Sequence, residues 1–308
     1  MSNFAKRLIL TLVCVPLVIF SFFWPSDSHI IIILLFGILV PILGSYEINS
    51  LIIHKGIKIR KFYLPVINFS IYVFAYFYAN NIFNIQKFKP LWIVFSLCVV
   101  VVFSSIYARD IFAKNLTKSF EKMSNTLFGI LYIGIPSFLL PFIFNVSLNP
   151  QNPAPIFYNI ESKGTLTGSF LAVYFIVVVW SNDIFAYIFG MNFGRKNIIG
   201  LTASPNKSWA GYIGAYFSTF VFVFIFYFLF NKFLGLPVWL YFVFPAVSGF
   251  LTPIGDLAES VFKRSANVKD SGDIIMGRGG ILDSVDTILY VYPIYFLLVQ
   301  LYFAFSKL

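Results

Sequence analysis

Six of the chain's twelve acidic side chains lie between positions 256 and 286, in the run GDLAESVFKRSANVKDSGDIIMGRGGILDSVD that begins at Gly255. Asp256, Glu259, Asp270, Asp273, Asp283 and Asp286 alternate there with Lys263, Arg264, Lys269 and Arg278. Acids alone could be a solvated loop. Acids interleaved with bases around the turn Gly277-Arg278-Gly279-Gly280 suit a hard cation and a phosphate together. Asp283 and Asp286 stand three apart at the start of an apolar run and so share one helix face; a helix cap with a first-turn acid has the same spacing. If both faced Asp256, they would form an all-oxygen pocket of the kind that binds Mg²⁺, through few carboxylates, waters and substrate phosphates. The glycine-rich turn can offer backbone N–H groups to an anion. Asp256, Glu259 and Lys263 share a further face, with Glu259 and Lys263 as a favourable i, i+4 pair, a pattern that a salt-bridged surface helix also shows.

A second cluster starts at Trp180-Ser181-Asn182-Asp183 and continues through Tyr187, Gly190, Gly194, Arg195 and Lys196 to Ser204-Pro205-Asn206-Lys207-Ser208-Trp209. Asp183 is an ionisable group in an apolar helix and needs a partner or a water-filled cavity. Ser204, Lys207 and Ser208 suit phosphate contacts, although the spacing is not that of a Walker A loop. Glu47, within another apolar run, reads at least as well as a cross-helix hydrogen-bonding group as a catalytic one. Cys14 and Cys98 lie inside apolar runs, and His29 and His54 at the edges of such runs, so thiolate and imidazole metal sites are not expected.

The elements that must position these groups are membrane helices. The chain is 59% hydrophobic and 11% charged, against roughly a quarter charged in a soluble chain. An all-α, polytopic integral membrane protein is expected, with about nine spans near 8–24, 30–53, 63–83, 90–107, 126–146, 166–190, 211–231, 237–254 and 284–305, each close to the ~20 residues a bilayer demands. The Lys6-Arg7 start reads as the flank of a retained first helix, since no small-residue cleavage site follows. With the N-terminus in the cytoplasm, 17 of the 22 Lys and Arg residues fall on the inner side, as the positive-inside rule requires. Both chemistry-bearing clusters then face the cytoplasm. The net charge of +10 thus reports topology, and without a basic stripe on a soluble domain no nucleic-acid partner is expected. We divide the single membrane unit into residues 1–165, helices 1–5, and residues 166–308, helices 6–9 with the catalytic loops.

Taken together, Ser260 to Arg264, Lys269-Asp270-Ser271-Gly272, Gly277-Arg278-Gly279-Gly280 and Asp283-Ser284-Val285-Asp286 closely resemble the signature of CDP-diacylglycerol synthases (phosphatidate cytidylyltransferases), S-x-x-K-R-x4-K-D-x-G, P-G-H-G-G and a terminal D-R-x-D. Gly255-Asp256-Leu257 resembles the preceding GDL. The 180–209 cluster is similar to a second block of the same family. Several positions depart from the pattern: Met276 stands where the family has Pro, Arg278 where it has His, Ser284 where it has Arg, Ser208 where it has Thr, and Ala210 where it has an acid. The charge lost at 284 can be recovered at 278, whereas a titrating imidazole cannot.

The resemblance implies transfer of a cytidylyl group from CTP to phosphatidate, releasing diphosphate. It implies Asp256, Asp283 and Asp286 as ligands of Mg²⁺, with or without a second cation. Lys207 and Lys263 would act in catalysis, and Ser204, Lys207, Arg264, Lys269, Arg278, Gly279 and Gly280 would bind substrate. Asp183, Asp270 and Glu259 would support them. The expected partners are CTP, phosphatidate and membrane lipid, with a homodimer as one compatible assembly; the expected place is a bacterial inner membrane, site facing the cytoplasm. A transferase for another lipid phosphate, or an ion-coupled transporter using the intramembrane acids, stands as the alternative.

Overall fold

The computed structural model describes residues 16–18, 20, 33–57, 59–79, 91–111, 116–143, 165–234, 236–275 and 279–305. The described elements are helical, and the two isolated β-bridges, Ile198 with Ser208 and Ile275 with Gly279, lie in connections. In chain order, a π-wound segment Ile33–Gly44 feeds α1 (Ser45–His54), followed by α2 (Tyr63–Ala79), α3 (Leu91–Ile111) and α4 (Ser119–Gly129). A π-type turn, Ile130–Gly134, carries α4 into α5 (Ile135–Ile143). Then come α6 (Thr165–Phe193), α7 (Trp209–Leu234), α8 (Leu240–Ser265) and α9 (Leu282–Phe305).

Among the described residues six stretches are long and apolar enough to cross a membrane: Gly37–His54, Ser119–Ile143, Phe170–Lys196, Trp209–Asn231, Leu240–Ser265 and Leu282–Tyr302. Tyr63–Ala79 and Val99–Ala108 are shorter apolar helices. The described parts of eight of the nine expected segments are helical, six of them of membrane-crossing length, and most of the first, 8–24, lies outside the described residues. The expected end of one span moves: helix α8 runs past 254 to Ser265. The acids and bases of 256–264 belong to the same helix because their i, i+3, i+7 spacing keeps them on one face. Asn267, at φ 58°, ends that helix in the left-handed region, which Asn tolerates better than most residues.

Aromatic side chains fill the core between α6, α8 and α9. Tyr174, Phe244 and Tyr295 are fully buried, and the rings of Phe244 and Tyr295 lie 4.5 Å apart. A second core joins α1, α2 and the π-type turn to the start of α9 through Ile48, Leu64, Ile133 and Leu282. Small residues let the helices close on each other, as in membrane interfaces generally. A Cβ at Gly211 on α7 would lie 2.9 Å from the Ala186 carbonyl oxygen of α6, and one at Gly255 on α8 would lie 3.3 Å from Cα of Thr287 on α9. That second approach sets the next residue, Asp256, beside the first turns of α9. Helix α6 has 29 residues, about 44 Å at 1.5 Å per residue, against ~30 Å of hydrocarbon. Its last turns, beyond Asp183, can therefore extend into the polar interface.

Candidate active site

A cavity of about 680 Å³ opens between α6, α7, α8, α9 and the 194–208 connection. Its lining includes Asp183, Arg195, Ser204, Asn206, Lys207, Ser208, Asp256, Asp283, Ser284 and Asp286. Both clusters singled out in the sequence thus meet in one space. Asp183 accepts a 3.1 Å hydrogen bond from Thr287 Oγ1, which ties α6 to α9. Asp286 is 7% exposed and its Oδ1 accepts the Thr287 N–H at 2.7 Å. Asp183 and Asp256 are its electrostatic neighbours.

Lys207 is held over the cavity by its loop. Ile199 N–H donates to the Lys207 carbonyl at 2.8 Å, and Trp209 N–H donates to the Asn197 carbonyl at 3.1 Å, so the two ends of the connection form a short ladder. Ser208 Oγ, buried, accepts the Gly211 N–H at 3.2 Å at the start of α7. The glycine at 194 is required here, because a Cβ would collide with Ser208 Oγ. Lys207 Nζ forms an ion pair with Asp256 Oδ2. Burial alone would lower the Lys207 pKa, but the Asp256 carboxylate outweighs it and holds the ammonium above the usual lysine range.

Lys263 sits under the cavity floor. Its Nζ is 2.5 Å from Glu259 Oε2, one turn back on α8, and 2.5 Å from Asp283 Oδ1. The other Asp283 oxygen, Oδ2, accepts from Ser271 N–H at 2.9 Å, Ser271 Oγ at 3.0 Å and Gly280 N–H at 2.7 Å. The expectation for Asp283 is thereby narrowed. Oδ2 is committed to backbone and hydroxyl donors, and only Oδ1, shared with Lys263, could reach a cation. Gly279, at φ 106°, adopts a conformation that favours glycine and brings its Cα against this carboxylate.

The remaining expected residues are spread more widely. Arg264 is exposed; its Nε donates to the Ala203 carbonyl at 3.4 Å and its Nη1 to the Val268 carbonyl at 3.0 Å, bracing the end of α8 against the 194–208 connection. Lys269 and Asp270 are exposed on the following turn and do not line the cavity. Gly280 lies buried beneath it, and Arg278 lies outside the described residues. Arg195, Asn206 and Tyr212 were not assigned roles from sequence but line the cavity.

Glu47 is the residue whose place the sequence least foretold. Two per cent exposed, it accepts from Ser271 Oγ, Ile281 N–H and Leu282 N–H, all at 2.8 Å. Its partners are as far as 235 positions away, and the only signal was a carboxylate in an apolar helix.

The donor set matches a hard divalent cation. Among the described residues four carboxylates line the cavity and no cysteine or histidine does, which suits Mg²⁺ rather than a softer metal. Among the described residues, however, no three acidic, histidine or cysteine side chains close around one point. Mg²⁺ tolerates that, because it retains waters and shares substrate phosphates.

The described helices include six of membrane length, and a mixed acidic and cationic cavity opens among their ends. The chain belongs to the Cytidylyltransferase family, whose profile matches residues 5–302. It is 39% identical over 122 residues to the phosphatidate cytidylyltransferase of Staphylococcus haemolyticus, covering 40% of this chain and 46% of that one. It is 36% identical over 130 residues to the Haemophilus influenzae protein of the same name, covering 42% and 45%. To phosphatidate cytidylyltransferase 4, chloroplastic, of Arabidopsis thaliana it is 33% identical over 179 residues, covering 56% and 44%. The chain thus spans about half the length of the curated relatives it matches.

Proposed function

We propose that this protein is a phosphatidate cytidylyltransferase that converts CTP and phosphatidate into CDP-diacylglycerol and diphosphate. The observation that carries the reading is the meeting of Asp183, Asp256 and Asp286 with Lys207 and Arg195 around one cavity at the ends of membrane-length helices. The relatives' printed names and the family membership point the same way.

In this reaction a phosphate oxygen of phosphatidate attacks the α-phosphorus of CTP in line. A new P–O–P bond forms as the bond to the bridging oxygen of the β-phosphate breaks, and diphosphate leaves with the electron pair. No protein nucleophile is needed; positioning and charge stabilisation do the work. Asp256 and Asp286, with Oδ1 of Asp283, are the oxygens that would hold Mg²⁺, with or without a second cation. When bound, the ion supplies Lewis-acid stabilisation of phosphoryl charge. Lys207 and Arg195 face the cavity and would neutralise the polyphosphate, with Ser204 and Asn206 donating to it. Lys263 would fix the Asp283 carboxylate and the underside of the site. Arg264 and Lys269 would meet phosphate at the rim and Arg278 would bind it as well, whereas the Gly279 and Gly280 N–H groups, donated to the Ile275 carbonyl and Asp283 Oδ2, would shape the turn. Thr287, Asp183, Asp270 and Glu259 orient these groups.

The reading includes nine spans, a cytoplasmic N-terminus, the division at residue 165 and a site open to cytoplasmic CTP, with the diacyl tails left in lipid. Support comes from contacts that join basic connections at one end of the bundle: Lys118 Nζ donates to the Gly56 carbonyl at 3.4 Å, and Arg264 reaches Ala203. Purified protein in detergent with Mg²⁺, labelled CTP and dioleoyl phosphatidate should yield a lipid-soluble cytidine product. A folded protein that yields none under these conditions rejects the assignment.

A further inference from the structure

We propose that Glu47 is a positioning residue for the Asp283–Asp286 turn, setting the rate of cytidylyl transfer without touching substrate; this rests on the cytidylyltransferase reading above. Glu47 does not line the cavity. Its carboxylate instead accepts the Ile281 and Leu282 N–H groups at the very start of α9. Those N–H groups have no intrahelical acceptor, and a negative charge there also complements the helix dipole. The first turn of α9 carries Asp283 and the next begins near Asp286, so a charge on α1 fixes where two site carboxylates stand.

A second link runs through Ser271. Its hydroxyl lies 2.8 Å from Glu47 Oε2 and 3.0 Å from Asp283 Oδ2. A hydroxyl has one proton, and here two carboxylate oxygens compete for it. The share taken by Glu47 sets how firmly Asp283 Oδ2 is held, and hence the direction in which Oδ1 faces Lys263. There is no slack around this carboxylate. A Cβ at Gly272 would come 2.8 Å from Glu47 Oε1, and one at Gly280 would collide with Glu47 Oε2. Two glycines thus leave room for a single carboxylate orientation, from which hydrogen bonds run to three donors.

The test compares wild type with Glu47→Gln in detergent, using Mg²⁺, labelled CTP and dioleoyl phosphatidate. Glutamine keeps the shape but cannot accept at Nε2, so either the Ile281 N–H or both the Leu282 N–H and the Ser271 hydroxyl lose their acceptor. We expect kcat to fall by about 10- to 100-fold, as for outer-sphere partners of metal-site residues, with KM for CTP changed by less than ~3-fold. The Mg²⁺ concentration for half-maximal rate should rise. Combining Glu47→Gln with Ser271→Ala should lose less than the product of the two single losses, because both act on Asp283. Wild-type kcat in Glu47→Gln, or strictly multiplicative losses, overturns the inference while leaving the enzyme assignment standing. Absence of product from folded wild type overturns both. Should Glu47→Gln not fold, Gly272→Ala keeps the charge and pushes the carboxylate; it should show the same kcat loss, and wild-type kcat there overturns the inference.

Discussion

Lys263 Nζ lies 2.5 Å from Asp283 Oδ1, and so fastens the end of α8 to the first turn of α9 beneath the cavity. The lysine, Glu259 and Asp283 side chains are only 12%, 1% and 6% exposed. Two acids and one base out of water depend on each other, since removing one partner of a buried set strands the rest.

Lys263→Met should therefore destabilise the protein by ~3–5 kcal/mol, the range for breaking a buried ion pair, and abolish turnover. Thermal melting in detergent, read beside the cytidine-lipid assay, checks it. Adding Glu259→Gln should restore much of the melting temperature but not the activity, which separates the fold from the chemistry.

Asp286 is buried beside Asp183 and Asp256, and none of the described salt bridges includes it. Neutralising it relieves like-charge repulsion. Asp286→Asn should melt at the wild-type temperature or higher while turnover drops at least ~100-fold, an effect on the order of those seen when electrostatic stabilisation of a transition state is lost. A variant that keeps wild-type turnover would remove Asp286 from the cation site.

Lys207 offers a pH signature. Its pKa is raised from 10.5 by Asp256 despite burial. A group whose folded pKa is raised contributes stability that is complete below its unfolded pKa and disappears as pH climbs through the folded one. The melting difference between wild type and Lys207→Met should accordingly stay flat from neutral pH to about 10 and shrink only in more alkaline solution. Turnover of the lysine variant should be lost throughout. A difference that faded between pH 6 and 8 would contradict the ion pair.

Gly279 combines φ 106° with a path for Cβ straight into Asp283 Oδ2. Gly279→Ala should cost about 1–3 kcal/mol from backbone conformation alone, and displace the carboxylate besides. We expect reduced melting temperature and reduced turnover together. Gly200, also at positive φ (74°) but with open space around it, is the control: alanine there should cost stability with less effect on rate.

Much of the site was readable because local spacing and cost carry long-range meaning in a membrane chain. Asp183 stood out as a charge inside an apolar helix and Asp256 as an acid at the end of one, and the i, i+3 spacing of Asp283 and Asp286 forecast their common face; all four line the cavity. What escaped was information held by packing rather than pattern. Lys269 and Asp270 match a family motif, yet the turn after Asn267 leaves both exposed. Asp283 looked like a simple ligand, and only the fold reveals four donors on its two oxygens. Glu47 could be flagged as an unusual charge, but nothing local links α1 to the start of α9. For the fold, helix positions followed from apolar runs, whereas the extension of α8 to Ser265 depended on reading polar residues as one face rather than as the end of a span.

The contact of Gly211 with Ala186 and Gly190 has a bearing on how this protein can change over time. Where α6 and α7 meet through main-chain atoms, the spacing of the two walls is fixed by the chain itself and is indifferent to the side chains hung on either side. Side chains such as the charged Arg195 and the polar Asn206 can then be exchanged without the α6–α7 wall narrowing or gaping. Side-chain charge around the cavity can therefore be redistributed while the separation of α6 and α7 stays the same.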